Sequence, residues 1–571
     1  MSEEIDLENV KVIFPNGETQ KYPKPLLLSD LLKHSSLSSD KIIALMVNGE
    51  IKSLNKKIRV GIAKVAPILS DSYEGSSMYR RTLVKIFATA VNKIYSKQFN
   101  VIIHHKINNG YLVKKEDEKD FTEEEIKNIK EKMTELIKKD LPIDEVILSP
   151  QEAINYFKSI NHFYSASLIE SNNRDCVKCS NLDKFLTLFF RPLGKSTGVI
   201  TDFDVRLSSN KNSLLLLFPK NSKPIPKDLK DIETIQTTKS YAKSFEYNKI
   251  INIRCVGDWN KIVISNPAKL KELILTMNIH HEKQISNIAY EISEKVLNGK
   301  IKYIGIAGPS ASGKTTFSKK LAISLKSKGI ETVVISMDDY FKNMNDAPKD
   351  EKGNPDLECL GALRIDDFNN ELKILLNGGK TKRCTFNFVK GAHTYSDTDI
   401  LQLPPKESGK KGVILCEGSH GIDEGATPSI PRDEKFYIYI APLTPINSDE
   451  YNFFPDHVLR LYRRSIRDFR TRGRSVNDTL KHWFGVAAGE EKYMYPCIDS
   501  CDLIWNSSLD YEVSVLYPFV YPLLRAVNVD DPNYYLACYL IKTMTHFLPI
   551  SDETIEKTSV LREFIGVSLF E

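Results

Sequence analysis

The chain lacks any apolar run approaching the ~20 residues of a membrane-spanning helix, and the pure apolar block at residues 214–218 reads as a strand. It lacks a signal core, because the stretch Met1-Ser2-Glu3-Glu4-Ile5-Asp6 is acidic. A disulfide framework is missing too. The nine cysteines (176, 179, 255, 359, 384, 416, 497, 501 and 538) are scattered and odd in number, which suits a reducing compartment. There is little excess of one charge, and +5 over 571 residues argues against a general nucleic-acid-binding surface. No internal repeat or low-complexity segment is found. What is present is ordinary for a soluble globular protein, 41% hydrophobic and 27% charged, in a chain too long for one core. A cytoplasmic, multidomain protein is expected.

Residues 1–70 read as a small unit of short strands. An alternating stretch at 10–14, a turn, helical spacing at 25–34 and an apolar run into Asn48-Gly49-Glu50 predict a β-grasp. Residues 71–265 predict an α+β domain, with helices at 83–95, 122–140 and 149–159 and strands at 101–105, near 197–205 and at 213–218. A bridging helix is expected over 266–298. Residues 299–528 alternate strand and helix, the pattern of a parallel sheet flanked by helices, and 529–571 form a helical tail.

The richest segment is Gly308-Pro309-Ser310-Ala311-Ser312-Gly313-Lys314-Thr315, followed by Thr316. It lies between a strand-like run, 303–307, and helical spacing of Phe317, Leu321 and Leu325. Strand, glycine-rich turn and helix together form the setting in which backbone amides and a helix N-terminus grip phosphate. Lys314 can reach the β/γ-phosphates and the Thr315 hydroxyl can ligand Mg²⁺. A nucleoside triphosphate is therefore expected as a ligand.

Two further carboxylates fall at predicted strand ends, where ligands sit in open α/β sheets. Asp338 follows the strand 331–337 and could accept a proton from an attacking hydroxyl, although a solvated Asp-Asp-Tyr turn is the alternative. Glu417 follows the strand 412–416, in the place of an acid that holds Mg²⁺. Residues 460–474 then carry seven arginines in fifteen positions, a density that calls for an anion among them. A phosphate-clamping lid hinged at Arg472-Gly473-Arg474 is favoured over a solvated face or a nucleic-acid stripe.

With these motifs in place, residues 299–528 resemble the uridine kinase/phosphoribulokinase family of P-loop kinases. The matching stretches are the P-loop, Asp338-Asp339-Tyr340-Phe341, Gly353-Asn354-Pro355-Asp356-Leu357-Glu358, Phe386-Asn387-Phe388, Glu417-Gly418 and the arginine segment. The whole chain resembles a subgroup of nucleoside kinases with an N-terminal TGS domain and a threonyl-tRNA-synthetase-like second domain. Val47-Asn48-Gly49-Glu50, the stretches 104–111 and 192–198, and Leu561-Arg562-Glu563-Phe564-Ile565-Gly566 carry that likeness.

The resemblance implies ATP and Mg²⁺ as cofactors, phosphorylation of a ribonucleoside such as uridine or cytidine, and a place in pyrimidine salvage. It makes Asp338 the general base and gives Lys314, Arg467 and Arg472 catalytic roles. Arg474 joins the P-loop in binding ATP, and Thr315 and Glu417 hold the metal. Tyr340, Asp356, Phe386, Arg464 and His482 fall on the substrate side. Three positions depart from the family pattern: Arg364 in place of Asp, His482 in place of a base-reading Gln, and Gly391 near the place of a base-contacting His. They leave the base open.

In the synthetase-like part, the helix expected to carry a His-x-x-x-His pair reads Arg80-Arg81-Thr82-Leu83-Val84. Cys176 and Cys179 have zinc-ligand spacing without a second pair, and His104-His105 would point to opposite faces of a strand. Structural roles are expected for all of them. Rival readings are an RNA- or translation-linked protein that hydrolyses nucleotide as a switch, a kinase of another small hydroxyl acceptor, and an aminoacyl-ester hydrolase, the last weakened by the missing histidines. RNA as a partner and assembly as a homo-oligomer stay open.

Overall fold

Alternation organises the N-terminal segment of the computed structural model, which describes residues 6–570 apart from 97, 221–222, 344–345, 350–352, 354–355 and 388–391. Val10, Val12 and Phe14 are buried and their neighbours are not, so Asn9–Ile13 is a strand with one wet face. It lies antiparallel to Thr19–Pro23 and parallel to Ile62–Leu69. Ile42–Val47 fills the place between Ile62–Leu69 and Glu50–Ser53, completing the mixed sheet expected of a β-grasp. Asn48 and Gly49 both take positive φ (50° and 76°), as a tight two-residue hairpin requires. The helical spacing at 25–34 resolves into a 3-10 helix, Leu28–Lys33, because Leu28 and Leu31, three apart, suffice to bury one side.

Helix α1 (Tyr73–Tyr95) starts well before the apolar spacing that announced it, capped by the Ser72 side chain on the Gly75 amide. It belongs to an α+β unit with two antiparallel sheets. One orders Asp204–Leu207, Leu214–Leu217, Gly110–Lys115 and Val101–Ile107; the other orders Asp144–Leu148, Val177–Leu182 and Phe185–Leu188. The strand expected near 197–205 is confined to Asp204–Leu207. Thr197 instead sits in a 3-10 turn, its hydroxyl donating to the Leu136 carbonyl (2.7 Å) and accepting from the Leu141 amide (2.9 Å).

The bridging helix is α2 (Pro267–Leu297), with Asn266 as a side-chain cap. The boundary expected at residue 265 does not divide the packing. Helix Ile235–Ile250 already lies against the C-terminal sheet, and its Tyr241 hydroxyl donates to Asp456 (2.8 Å).

That C-terminal sheet is parallel throughout. β1 (Tyr303–Ala307) leads into α3 (Lys314–Lys326), then β2 (Ile330–Ser336), β3 (Lys411–Glu417), β4 (Lys435–Ala441) and β5 (Leu503–Asn506), in the spatial order β2-β3-β1-β4-β5. Strands buried on both faces read as continuous apolar runs, and every residue of β1 is buried. Ile285, Ala289 and Ile292 of α2 and Phe317 and Leu321 of α3 cover one face; Phe368, Leu372 and Leu375 cover the other. Burying Phe317 alone is worth roughly 1.5–3 kcal/mol. Past β4 come α4 (Asp456–Thr471), α5 (Val476–Gly489), α6 (Glu512–Arg525) and α7 (Tyr534–Met544), which join the largest apolar cluster. No helix among the described residues is long and apolar enough to cross a membrane.

Candidate active site

The loop between β1 and α3 is shaped by backbone that few residues tolerate. A Cβ on Gly308 would stand 2.1 Å from the Ile440 carbonyl oxygen. Gly313 turns into the helix at φ +90°, and Ala311 also lies in the left-handed region at φ 59°. From the far side, the fully buried Arg463 donates to the carbonyls of Ala311 and Ser312 (both 3.3 Å) and is itself held by Glu512. The Lys314 ammonium bridges the loop, donating to the carbonyls of Gly308 (2.7 Å) and Pro309 (3.3 Å).

Carboxylates converge on this loop. Glu417, at the end of β3, accepts from Ser336 Oγ (3.1 Å) and lies 3.5 Å from Thr315 Oγ1. Burial and the neighbouring Asp338 charge push its carboxyl up to about 7, while Lys314 pulls the other way. Asp338 is half-buried in the 3-10 turn Met337–Tyr340 at the end of β2. Glu358 is likewise pushed up to about 7, by burial first and then by Glu490, with Asp338 adding to it and Arg464 and Lys314 opposing. Mutual repulsion of this kind is relieved by a cation. Among the described residues no three metal-ligating side chains form a cage. The Thr315 hydroxyl and the Glu417 carboxylate, 3.5 Å apart, are hard oxygen donors of the kind that suit a divalent ion.

The arginines of 460–474 are not a free lid, and here the structure corrects the reading from spacing. Arg460, Arg463 and Arg464 are buried in a helix that forms part of the core. The anions among them are the chain's own. Arg460 pairs with Glu490 and donates to the Ser310 carbonyl (2.9 Å), and Arg463 pairs with Glu512. Arg464 (3.3 Å), Arg467 (3.2 Å) and Arg472 (3.5 Å) all reach the fully buried Asp468. Arg464 also donates to Ser310 Oγ at 2.8 Å, so it faces the P-loop. Burial and Arg467 bring the Arg472 guanidinium down to about 10, with Asp468 and Asp338 acting against them. Arg474, beyond the turn at Gly473 (φ +60°), has an exposed side chain.

The substrate-side residues are treated unequally. Asp356 accepts from the Tyr493 hydroxyl (2.7 Å) and the Glu358 amide (3.1 Å). Phe386 is half-buried in the hairpin Lys380–Asn387/Ala392–Gln402, 6.0 Å from the Phe341 ring. The Tyr340 hydroxyl is turned inward and donates to Glu371 (2.6 Å), so Tyr340 packs on the core face rather than presenting its oxygen to a ligand. His482 is exposed on α5, its Nδ1 donating to the Asp478 carbonyl (2.7 Å). Arg364 is bound to Asp367 (2.6 Å) and Cys384 (3.2 Å), and Gly391, Asn354, Pro355 and Phe388 lie outside the described residues.

Two acids were not singled out from sequence. Glu490 opens a short π-helix after α5, a feature that often marks functional positions, and accepts the Ser310 amide at 2.9 Å. Glu563 accepts from the Thr316 hydroxyl (2.7 Å) and amide (3.3 Å), at the start of α3. In the α+β unit, His105 is buried and stacked on Tyr241 at 4.1 Å, and burial holds it down at about 3.

Residues 303–514 match the model of the phosphoribulokinase/uridine kinase family. The N-terminal part is similar to threonine–tRNA ligases. That of Thermotoga petrophila is 31% identical over 196 residues, covering 34% of this chain and 30% of the relative. That of Carboxydothermus hydrogenoformans is 25% identical over 229 residues, covering 37% and 36%. The chain thus spans about a third of the length of these curated relatives. Among solved structures, that of a "possible uridine kinase" from Bacillus stearothermophilus is 14% identical with a TM-score of 0.26, covering 39% of this chain and 100% of its own.

Proposed function

We propose that the protein transfers the γ-phosphoryl group of ATP to the 5′-hydroxyl of a ribonucleoside, uridine or cytidine. The observation that carries this reading is geometric: Asp338 lies in the turn directly after β2, and Glu417, at the end of the adjacent β3 and paired in register with Ser336, lies 3.5 Å from Thr315 of the P-loop. In this reading the amides of Gly308–Thr315 and the start of α3 hold the triphosphate. Lys314 leaves its carbonyl partners for the β/γ-phosphates. Arg464, Arg467 and Arg472 stabilise charge on the transferring group. Asp338 accepts the proton of the acceptor hydroxyl, and Asp356 holds the ribose. A divalent ion at Thr315 and Glu417, Mg²⁺ in this reading, would supply neutralising charge between the phosphates. Closure against water matters, since a loose site would hydrolyse ATP.

The test is incubation of the full-length protein with ATP and a panel of nucleosides and sugar phosphates, with products identified by mass spectrometry. A uridine or cytidine monophosphate product is expected. A phosphorylated sugar phosphate and no nucleotide would overturn the nucleoside assignment. The likeness to threonine–tRNA ligases favours a second reading, RNA-linked nucleotide hydrolysis. It requires RNA-stimulated phosphate release without a phosphorylated small molecule.

A further inference from the structure

Behind the P-loop, between α1, α4, α5 and α7, lies a cavity of about 610 Å³. None of Gly308–Thr316, Asp338, Asp356 or Glu417 lines it, so it is separate from the candidate active site. Its size is in the range of small-molecule sites.

The lining has an unusual charge pattern. Arg80, Lys106 and Lys220 all belong to it; burial, then Arg80 and then Lys220, bring the Lys106 ammonium down to about 8, with Glu491 and Asp456 of the same lining acting against them. Lys220 is paired with Glu491 at 2.7 Å. Neither Arg80 nor Lys106 has a carboxylate within ion-pair distance among the described residues; Arg80 instead lies over the Phe218 ring at 5.6 Å. Deeper in, Lys85 is spent on the Ser180 and Phe185 carbonyls, and Arg191 on Glu74. Cations that share one lining repel one another, and a phosphate group would relieve that repulsion.

The cavity also offers flat apolar surface. Tyr73, 46% exposed, packs edge-on against Phe484 with ring centroids 5.1 Å apart, and both line the space. Exposed aromatic faces beside cations are a stacking platform for a heterocyclic base.

We propose that this cavity binds a nucleoside monophosphate, with its phosphate among Arg80, Lys106 and Lys220 and its base against the Tyr73–Phe484 wall. The site is independent of the reading proposed for the P-loop. Arg460 joins the two, since it lines the cavity and donates to the Ser310 carbonyl.

The experiment is calorimetric titration of the full-length Lys314→Ala protein, whose P-loop is disabled, with uridine monophosphate, adenosine monophosphate and inorganic phosphate. One equivalent of a nucleotide is expected to bind. Adding Lys106→Glu should weaken it by about tenfold or more, and inorganic phosphate should bind about tenfold more weakly than the nucleotide. Should Lys106→Glu fail to fold by circular dichroism, Arg80→Gln in the same background decides by the same criterion. The proposal is overturned if neither nucleotide binds at about 1 mM, a level that already admits weak ligands. Nucleotide affinity unchanged by the cavity substitution, or inorganic phosphate binding as tightly as the nucleotides, overturns it equally. Because the P-loop lysine is absent throughout, failure here leaves the kinase reading untouched.

Discussion

The two arginine-rich regions of this protein solve opposite problems. Around the P-loop, every buried arginine of α4 has a carboxylate: Glu490 for Arg460, Glu512 for Arg463, and Asp468 for Arg464. Two further carboxyls, Glu417 and Glu358, are raised first by burial and then by a neighbouring carboxylate. In the cavity, Arg80 and Lys106 have no carboxylate within ion-pair distance among the described residues, and cations outnumber the two lining carboxylates, Asp456 and Glu491. In the proposed reading, acid beside the Gly308–Thr315 loop suits a ligand that brings its own metal. A surplus of base in an enclosed space suits a bare anion. The number of arginines in a segment therefore says little until their partners are known.

Breaking the comparison at its most buried point should cost most. Arg463→Ala leaves Glu512 buried without a cation, and an expected loss of roughly 3–5 kcal/mol would be seen in urea unfolding. Next in size is chemistry. Asp338→Asn should lower turnover by roughly 10²-fold or more while ATP binding persists, measured as nucleoside monophosphate formed per second; wild-type turnover would remove Asp338 from its role. Lys314→Ala should lose turnover and, unlike Asp338→Asn, also weaken ATP binding.

A smaller effect is expected of Glu563→Gln. Its carboxylate sits on the Thr316 amide and hydroxyl, where a phosphate oxygen would go, so removing the charge should tighten ATP binding by roughly threefold to tenfold in a titration. The smallest effect concerns pH. Glu417 has a folded pKa near 7, above its unfolded value of 4.5. The stability it lends is therefore complete below 4.5 and lost as pH rises through 7. Glu417→Gln should accordingly raise Tm by a few degrees at pH 8 without metal, and by less at pH 5. An equal shift at both pH values would show that the carboxyl is not perturbed.

Much of this was legible in the sequence because local backbone demands write themselves locally. Gly308 and Gly313 are required by a carbonyl 2.1 Å away and by φ +90°, and the strand before them is apolar because both faces are covered. Asp338 and Glu417 were legible as acids at strand ends. The partners that arrive from far along the chain were not. Glu490 and Glu563 are 180 and 247 residues from the P-loop atoms they bind, and no periodicity links them. For the same reason the arginine segment read as a lid: its spacing shows one helical face, not that Glu512 waits beneath it. Tyr340 shows the limit at a single residue. Its position beside Asp338 is local, but the direction of its hydroxyl is set by Glu371 on another helix.

The stretch that follows α7 brings Val560 to within 2.4 Å of where a side chain on Gly313 would begin, and Glu563 onto the first turn of α3. A protein trimmed to residues 303–514 would thus lack a wall of the candidate site. Whatever peels the stretch away, whether a protease or a bulky fusion, acts on the phosphate loop without touching it.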